Sequence, residues 1–261
     1  MWLRRLAPGR TCPAQLHFST STKNTQIINA MTQKIADFSA SDLEHIRGLP
    51  PKSFPYLSPL LLGDPRLRQE CTPCYDNRRR RRSNSSNSSN HHTNNQSDLD
   101  AIADQLITTA TAHGSLGLAA PQLGFMKRMF VMVKDWREAI KKDTHSREDY
   151  DVFVDPCIES LCRASKTIES FERCESIPGF QGLVARPNCI NISYIDGSIN
   201  ETRTSTHRKK RVKRVKKSFS QFQATIFQHE LDHLDGILFM DRIENLELDV
   251  TQDEVVQGLT C

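Results

Sequence analysis

Residues Gln228–Gly236 read QHELDHLDG, and the fold turns on whether this is a metal-binding helix or a charged surface helix. His229 and His233 stand four apart. On a helix that spacing puts both on one face with Cβ atoms about 5–6 Å apart, close enough for two imidazoles to grip one ion. Glu230 follows the first histidine directly, so it can stand beside such an ion without binding it and deprotonate a metal-bound water. Phe222, Ile226, Phe227, Leu231, Leu234 and Leu238 recur mostly at three and four. That period predicts a helix from Phe222 to about Glu247 with one buried side. At this point the alternative is a solvated helix carrying two unrelated histidines.

Outward from that stretch, residues 208–217 (RKKRVKRVKK) are almost wholly basic, and a loop between strands is expected over about 203–218. SKTIESFERCESIPGF (165–180) and VARPNCINISYIDGSI (184–199) read as strands and turns, as do RMFVMV (128–133) and YDVFVDPCI (150–158), with a charged stretch of helical character between the last two. GSLGLAAPQLG (114–124) is a small-residue turn. Ahead of it, Ser97 with Asp100 resembles a capping box, Leu99, Ile102, Ala103, Leu106, Ile107 and Ala110 form an apolar stripe, and Gly114 ends the helix. Asn77 to Gln96 contains no apolar residue, so a disordered insertion is expected at about 77–97. A short helix is expected around Ile35 to Arg47. Helix, strands, then helix, without βαβ alternation, predicts an α+β fold with a helix packed on mixed or antiparallel strands.

The net charge of +4 conceals a split. Residues 1–36, Arg78–Arg82 and 208–217 hold 18 of the 35 Lys and Arg and no acid, leaving 17 basic against 31 acidic residues elsewhere. The globular part is therefore acidic, so a broad DNA-binding face is not implied. No apolar run is long enough to predict a membrane span. The first 24 residues are rich in Arg, Ser and Thr and free of acid, a composition that suits a transit peptide, so a mitochondrial matrix location is expected, with a plastid as the alternative. The expected organisation is targeting peptide and linker over 1–52, a catalytic domain over 53–250, and a tail over 251–261. The eight cysteines do not demand a disulfide framework. Cys71 and Cys74 have redox or metal spacing but no second pair, so small apolar residues beside a strand are expected. The sequence leaves the oligomeric state open.

A catalytic metal needs about three protein ligands and an open position. Phe239 stands where one zinc-protease plan needs a third histidine. Another plan would use a downstream carboxylate, and Glu244, Glu247 and Glu254 are available. Upstream, Cys174 lies in FERCESIPGF, and a thiolate favours Fe(II) or Zn(II).

Three stretches in this order, GSLGLAAPQLG, ERCES and QHELDH, resemble the signature motifs of peptide deformylases, G-x-G-x-A-A-x-Q, E-G-C-x-S and Q-H-E-x-D-H. The likeness runs from about Pro59 to Asn245, and CES followed by GF resembles the organellar eukaryotic branch. The resemblance implies a compact α+β fold around the histidine-bearing helix. It implies hydrolysis of the N-formyl group from the starting methionine of nascent polypeptides. The metal, Fe(II) or else Zn(II), would be held by Cys174, His229 and His233, with Glu230 as general base and then acid. Gln122 and the backbone of Glu175 would stabilise the oxyanion, beside Leu116 and Gly117. Glu172, Asp232 and Arg186 would orient the ligands, and Phe222, Thr225 and Ile226 would line the methionine pocket. Arg173 departs from the second motif's Gly, Ser115 from the first motif's leading Gly, and Thr225 from an Arg common before the third. A long cation at Arg173 is expected to crowd the metal or the peptide. Two other readings remain at this stage: a non-catalytic relative that binds the ribosome or nascent chain through the basic run, and another H-E-x-x-H metallopeptidase.

Overall fold

Met129–Val133 is a run of five apolar residues, and all five are buried. A strand of that kind must be covered on both faces, and this one shows how. The structure is a computed structural model and describes Thr25, Ile28, Asn29, Thr32, Gln33, Ile35 and Ala36, then residues 56–75, 96–142, 144–197 and 214–243. Its main sheet is built from β1 (Gly117–Ala119), β2 (Met129–Val133), β3 (Tyr150–Leu161), β6 (Cys189–Asp196) and β7 (Val215–Ser220), neighbours in that order. Every pairing is antiparallel. Between β3 and β6 in the chain, β4 (Thr167–Arg173) and β5 (Gln181–Pro187) form a separate antiparallel hairpin.

Side-chain alternation on β2 divides the core in two. Met129, Val131 and Val133 join a cluster with Leu99, Ala103, Leu106, Ile107 and Ala110 of helix α1 (Gln96–His113). Phe130 and Met132 turn the other way, toward Ala224, Ile226, Phe227, Leu231 and Leu234 of helix α2 (Phe222–Leu234). Phe130, Phe153, Phe219 and Phe227 meet there, with Phe130 and Phe227 edge to face at 5.2 Å. The α2 helix also contacts β1, β7 and, beyond the sheet, β5 of the hairpin. It is thus enclosed between the two sheets, and every residue from Ala224 to Leu234 is buried.

Several expectations are corrected. The α2 helix has no single buried side; it is buried all round, and it stops at Leu234 rather than near Glu247. The stop is a Schellman turn: Gly236 N–H donates to the His233 carbonyl and Ile237 N–H to that of Asp232, with Gly236 at φ +72°. Leu238 is buried, but in the turn that leads to Phe239–Arg242. The α1 helix already includes Gln96 and Ser97, so Ser97 lies inside the helix and Asp100 accepts from the Gln96 side chain. Val215, Lys216 and Lys217, expected in a loop, belong to β7. Within the segment expected to be targeting peptide and linker, the helical Ile35 is buried against Leu62, Ile177, Leu238 and Met240, so the packed unit reaches back before residue 53. Cys162 and Cys189 form a disulfide, which was not expected. Residues 37–47, 77–95, 203–213 and 251–261 lie outside the described residues.

A Cβ at Gly236 would come within 2.7 Å of the backbone carbonyl of Arg68, and its φ disfavours any other residue. Gly236→Ala is therefore expected to lower the unfolding free energy by about 1–3 kcal/mol, read from urea denaturation.

Candidate active site

Alternation on β4 points Glu172 inward, where it is buried, and Arg173 outward. The next residue, Cys174, begins a turn closed by the Ile177 N–H on the Cys174 carbonyl. This brings the thiol to α2. Cys174 Sγ lies 3.2 Å from His233 Nε2, and the donor atoms of Cys174, His229 and His233 all fall within 4.8 Å of one another. All three residues are buried. One sulfur and two imidazoles at this separation suit a single borderline divalent ion and leave a tetrahedral position open.

The rest of the pocket orients those donors. His229 Nδ1 shares a 2.9 Å hydrogen bond with Glu172 Oε2, which directs its other ring nitrogen to the centre. Arg186 Nε and Nη2 donate to the two Glu172 oxygens at 2.5 and 2.9 Å, and Nη1 donates to Asp232 Oδ2 at 2.8 Å. Arg242 donates to Asp232 from the other side. Burial alone would raise the Glu172 pKa; Arg186 and the His229 contact override it and hold the carboxyl at about 2. Arg186 is fully buried and pushed above its ordinary range, since Asp232 and Glu172 outweigh the penalty of burial. Removing one member of such a group typically costs about 3–5 kcal/mol, because it leaves a buried charge uncompensated.

Glu230 has a different environment. It is buried, and its Oε2 has no hydrogen-bond partner among the described residues. Burial is the largest influence, opposed by His229 and reinforced by the Glu172 and Glu175 carboxylates, and its pKa is pushed up to about 7. An orphaned carboxylate oxygen beside three convergent donors suits a proton acceptor for a small polar molecule held there. Gly117 makes the room: a Cβ at that position would stand 2.5 Å from Glu230 Oε1.

Gln122 lies in the short turn Ala120–Leu123 that follows β1. Its Oε1 accepts from the Ala119 N–H at 2.8 Å, which turns its amino group toward Cys174 Sγ at 3.4 Å and Ser176 Oγ at 3.3 Å. A side-chain amide donor is thus aimed at the donor cluster. The Glu175 carboxylate accepts from Ser115 Oγ at 2.7 Å and contacts His113 Nδ1 at 2.8 Å, while Tyr150 Oη donates to the Ser115 carbonyl.

A cavity of about 490 Å³ opens over these groups. Leu116, Phe222, Thr225 and Ile226 line it, together with Gln122, Glu172, Cys174, Glu175, His229 and Glu230. Asp232 and Arg186 stand behind the lining residues. Sequence reasoning missed Phe171, Gln181 and the Ile177–Phe180 stretch of the lining, and the hold of His113 and Ser115 on Glu175. The signal for that hold was a hydroxyl at Ser115, one residue after Gly114. Arg173 does not crowd the centre. It sits on ordinary extended backbone and its Nε donates to Gln181 Oε1 at 3.0 Å across the hairpin. Cys71 and Cys74 are buried thiols, and burial raises both, Cys71 to about 12, as for apolar core residues. Glu244, Glu247 and Glu254 lie outside the described residues.

A fold of this kind, with a Cys-His-His cluster and a neighbouring free carboxylate, defines a metallohydrolase-type site. Residues 60–249 match the family model for polypeptide deformylase, and the chain belongs to that family. It is 29% identical to peptide deformylase 2 of Nostoc sp. over 167 residues, 64% of this chain and 83% of the relative. It is 35% identical to the peptide deformylase of Thermomicrobium roseum over 144 residues, 55% of this chain and 71% of the relative. Among solved structures, a Synechococcus elongatus peptide deformylase in complex with actinonin superposes with a TM-score of 0.53 at 26% identity, covering 76% of this chain and 84% of that one.

Gly117→Ala is expected to displace Glu230 while leaving Cys174, His229 and His233 in place. Turnover should fall by roughly 10²-fold, the scale of one positioned acid–base group, with metal content unchanged by elemental analysis.

Proposed function

We propose that this chain hydrolyses the N-formyl group from the starting methionine of nascent polypeptides, with Cys174, His229 and His233 holding one divalent ion. The observation that carries this reading is the meeting of the Cys174 thiol with both histidines beside a Glu230 oxygen that lacks a partner among the described residues. When bound, the ion lowers the pKa of a water toward 7 and polarises the formyl carbonyl. Glu230 takes a proton from the attacking water on its carboxylate and delivers it to the amide nitrogen as the C–N bond breaks. Formate and a peptide with a free α-amino group result. The Gln122 amino group, held by the Ala119 contact, donates to the oxygen that gains negative charge, and the Glu175 backbone N–H serves the same atom. Leu116, Phe222, Thr225 and Ile226 take the methionine side chain, an apolar chain flexible enough to fit their surface.

Fe(II) is the proposed resident metal, with Zn(II) as the alternative, on the softness of a mixed sulfur and imidazole donor set. A mitochondrial matrix location, with a plastid as the alternative, is proposed from the acid-free, Arg- and Ser/Thr-rich first 24 residues. The organellar branch of the family is proposed on the same stretch and on the CES and GF residues. The basic run at 208–217 is a candidate contact for the ribosome.

Protein purified without oxygen and loaded with Fe(II) is expected to release formate from formyl-Met-Ala-Ser. Gln122→Ala should lower kcat by about 10²–10³-fold, the usual loss of one oxyanion donor. Cys174→Ala should lose metal and activity together. Metal-loaded protein that yields no formate would exclude catalysis and leave a binding role.

A further inference from the structure

We propose that Arg173 makes this chain select formylated peptides with a carboxylate close behind the methionine, an aspartate or glutamate in one of the next two residues. This rests on the deformylase reading and adds a substrate class to it. Phe171 and Arg173 project from β4 on the face opposite Glu172, and their cross-strand partners are Leu183 and Gln181. Phe171 and Leu183 are 54% and 41% exposed, far more than core residues. Phe171, Arg173 and Gln181 also line the cavity over the donor cluster. The outer face of the hairpin therefore continues the cavity, and it offers a chain leaving the site an apolar floor with a cation on it.

The charges around the cavity decide what that cation does. Glu172 is bound by Arg186, and the Glu175 carboxylate is held by Ser115 and His113. Glu230 is buried beside the metal donors. Among the described residues Arg173 takes part in no ion pair, and the neutral Gln181 amide is the hydrogen-bond partner of its Nε. Among the described residues its charge is thus unpaired, and its Nη groups present the planar fork that matches a carboxylate.

The test compares formyl-Met-Glu-Ser-amide, formyl-Met-Ala-Ser-amide and formyl-Met-Lys-Ser-amide by kcat/KM at low salt. Equilibrium binding of the same peptides without the formyl group is measured in parallel. The glutamate peptide is expected to exceed the lysine peptide by about two- to fivefold in both readouts, the range for one exposed charge pair. That ratio should shrink at about 0.5 M salt, approach one in Arg173→Gln, return in Arg173→Lys and invert in Arg173→Glu. Because the peptides are amidated, a preference seen only with free C-termini would assign the carboxylate to the chain end and overturn the proposal. An equal ratio in wild type and Arg173→Gln would also overturn it. Absence of turnover on every peptide would count against the deformylase reading, while the binding ratio would still decide the role of Arg173.

Discussion

A helix enclosed on every side that nevertheless carries Gln228, His229, Glu230, Asp232 and His233 is the constraint from which the rest follows. Buried polar groups are tolerated only when paired, since an unpaired ion in an apolar interior is strongly disfavoured. The β4–β5 hairpin supplies the pairing. Its Glu172 and Arg186 accept and donate across to His229 and Asp232, and Cys174 follows directly from β4. Folding the hairpin onto α2 therefore pairs His229 and Asp232 and completes the donor cluster in one step. Gln228 is accounted for separately, by the carbonyls of Pro187 and Ala224.

Among the described residues, Glu230 is the carboxylate of that group with an oxygen left unpartnered. The contrast with Glu172 is instructive. Both are buried carboxylates within reach of His229, yet Arg186 holds Glu172 ionised while burial pushes Glu230 up to about 7. One is fixed as a support; the other is free to exchange a proton. Small residues define where this takes place. Gly117 leaves the volume that Glu230 occupies, and Gly236 lets α2 turn away immediately after its second histidine.

The donor cluster was legible in the sequence because it depends on local spacing: His229 and His233 at i and i+4, with Glu230 between them. Cys174 was legible only through the order of the three motifs, since nothing in its own segment fixes its distance from histidines more than fifty residues away. The extent of α2 was misjudged for a physical reason. Leu238 continues the apolar period, but the Schellman turn at Gly236 breaks the helix while keeping that side chain in the core. The even apolar content of β2 was legible as a strand, though not the division of its two faces between α1 and α2. Ile35 was read as part of a leader because composition reports solubility and charge, whereas its place in the core depends on distant partners such as Leu62 and Leu238. Arg173 stays clear of the metal donors because strand alternation, set by the inward Glu172, turns its side chain to the exposed side of the hairpin, at the edge of the cavity.

The central claim is that a thiolate and two imidazoles share one ion. X-ray absorption at the edge of the metal in anaerobically purified protein tests it most directly. The account predicts one sulfur scatterer at about 2.3 Å together with nitrogen scatterers at about 2.0–2.1 Å. A first shell of nitrogen and oxygen with no sulfur would contradict it.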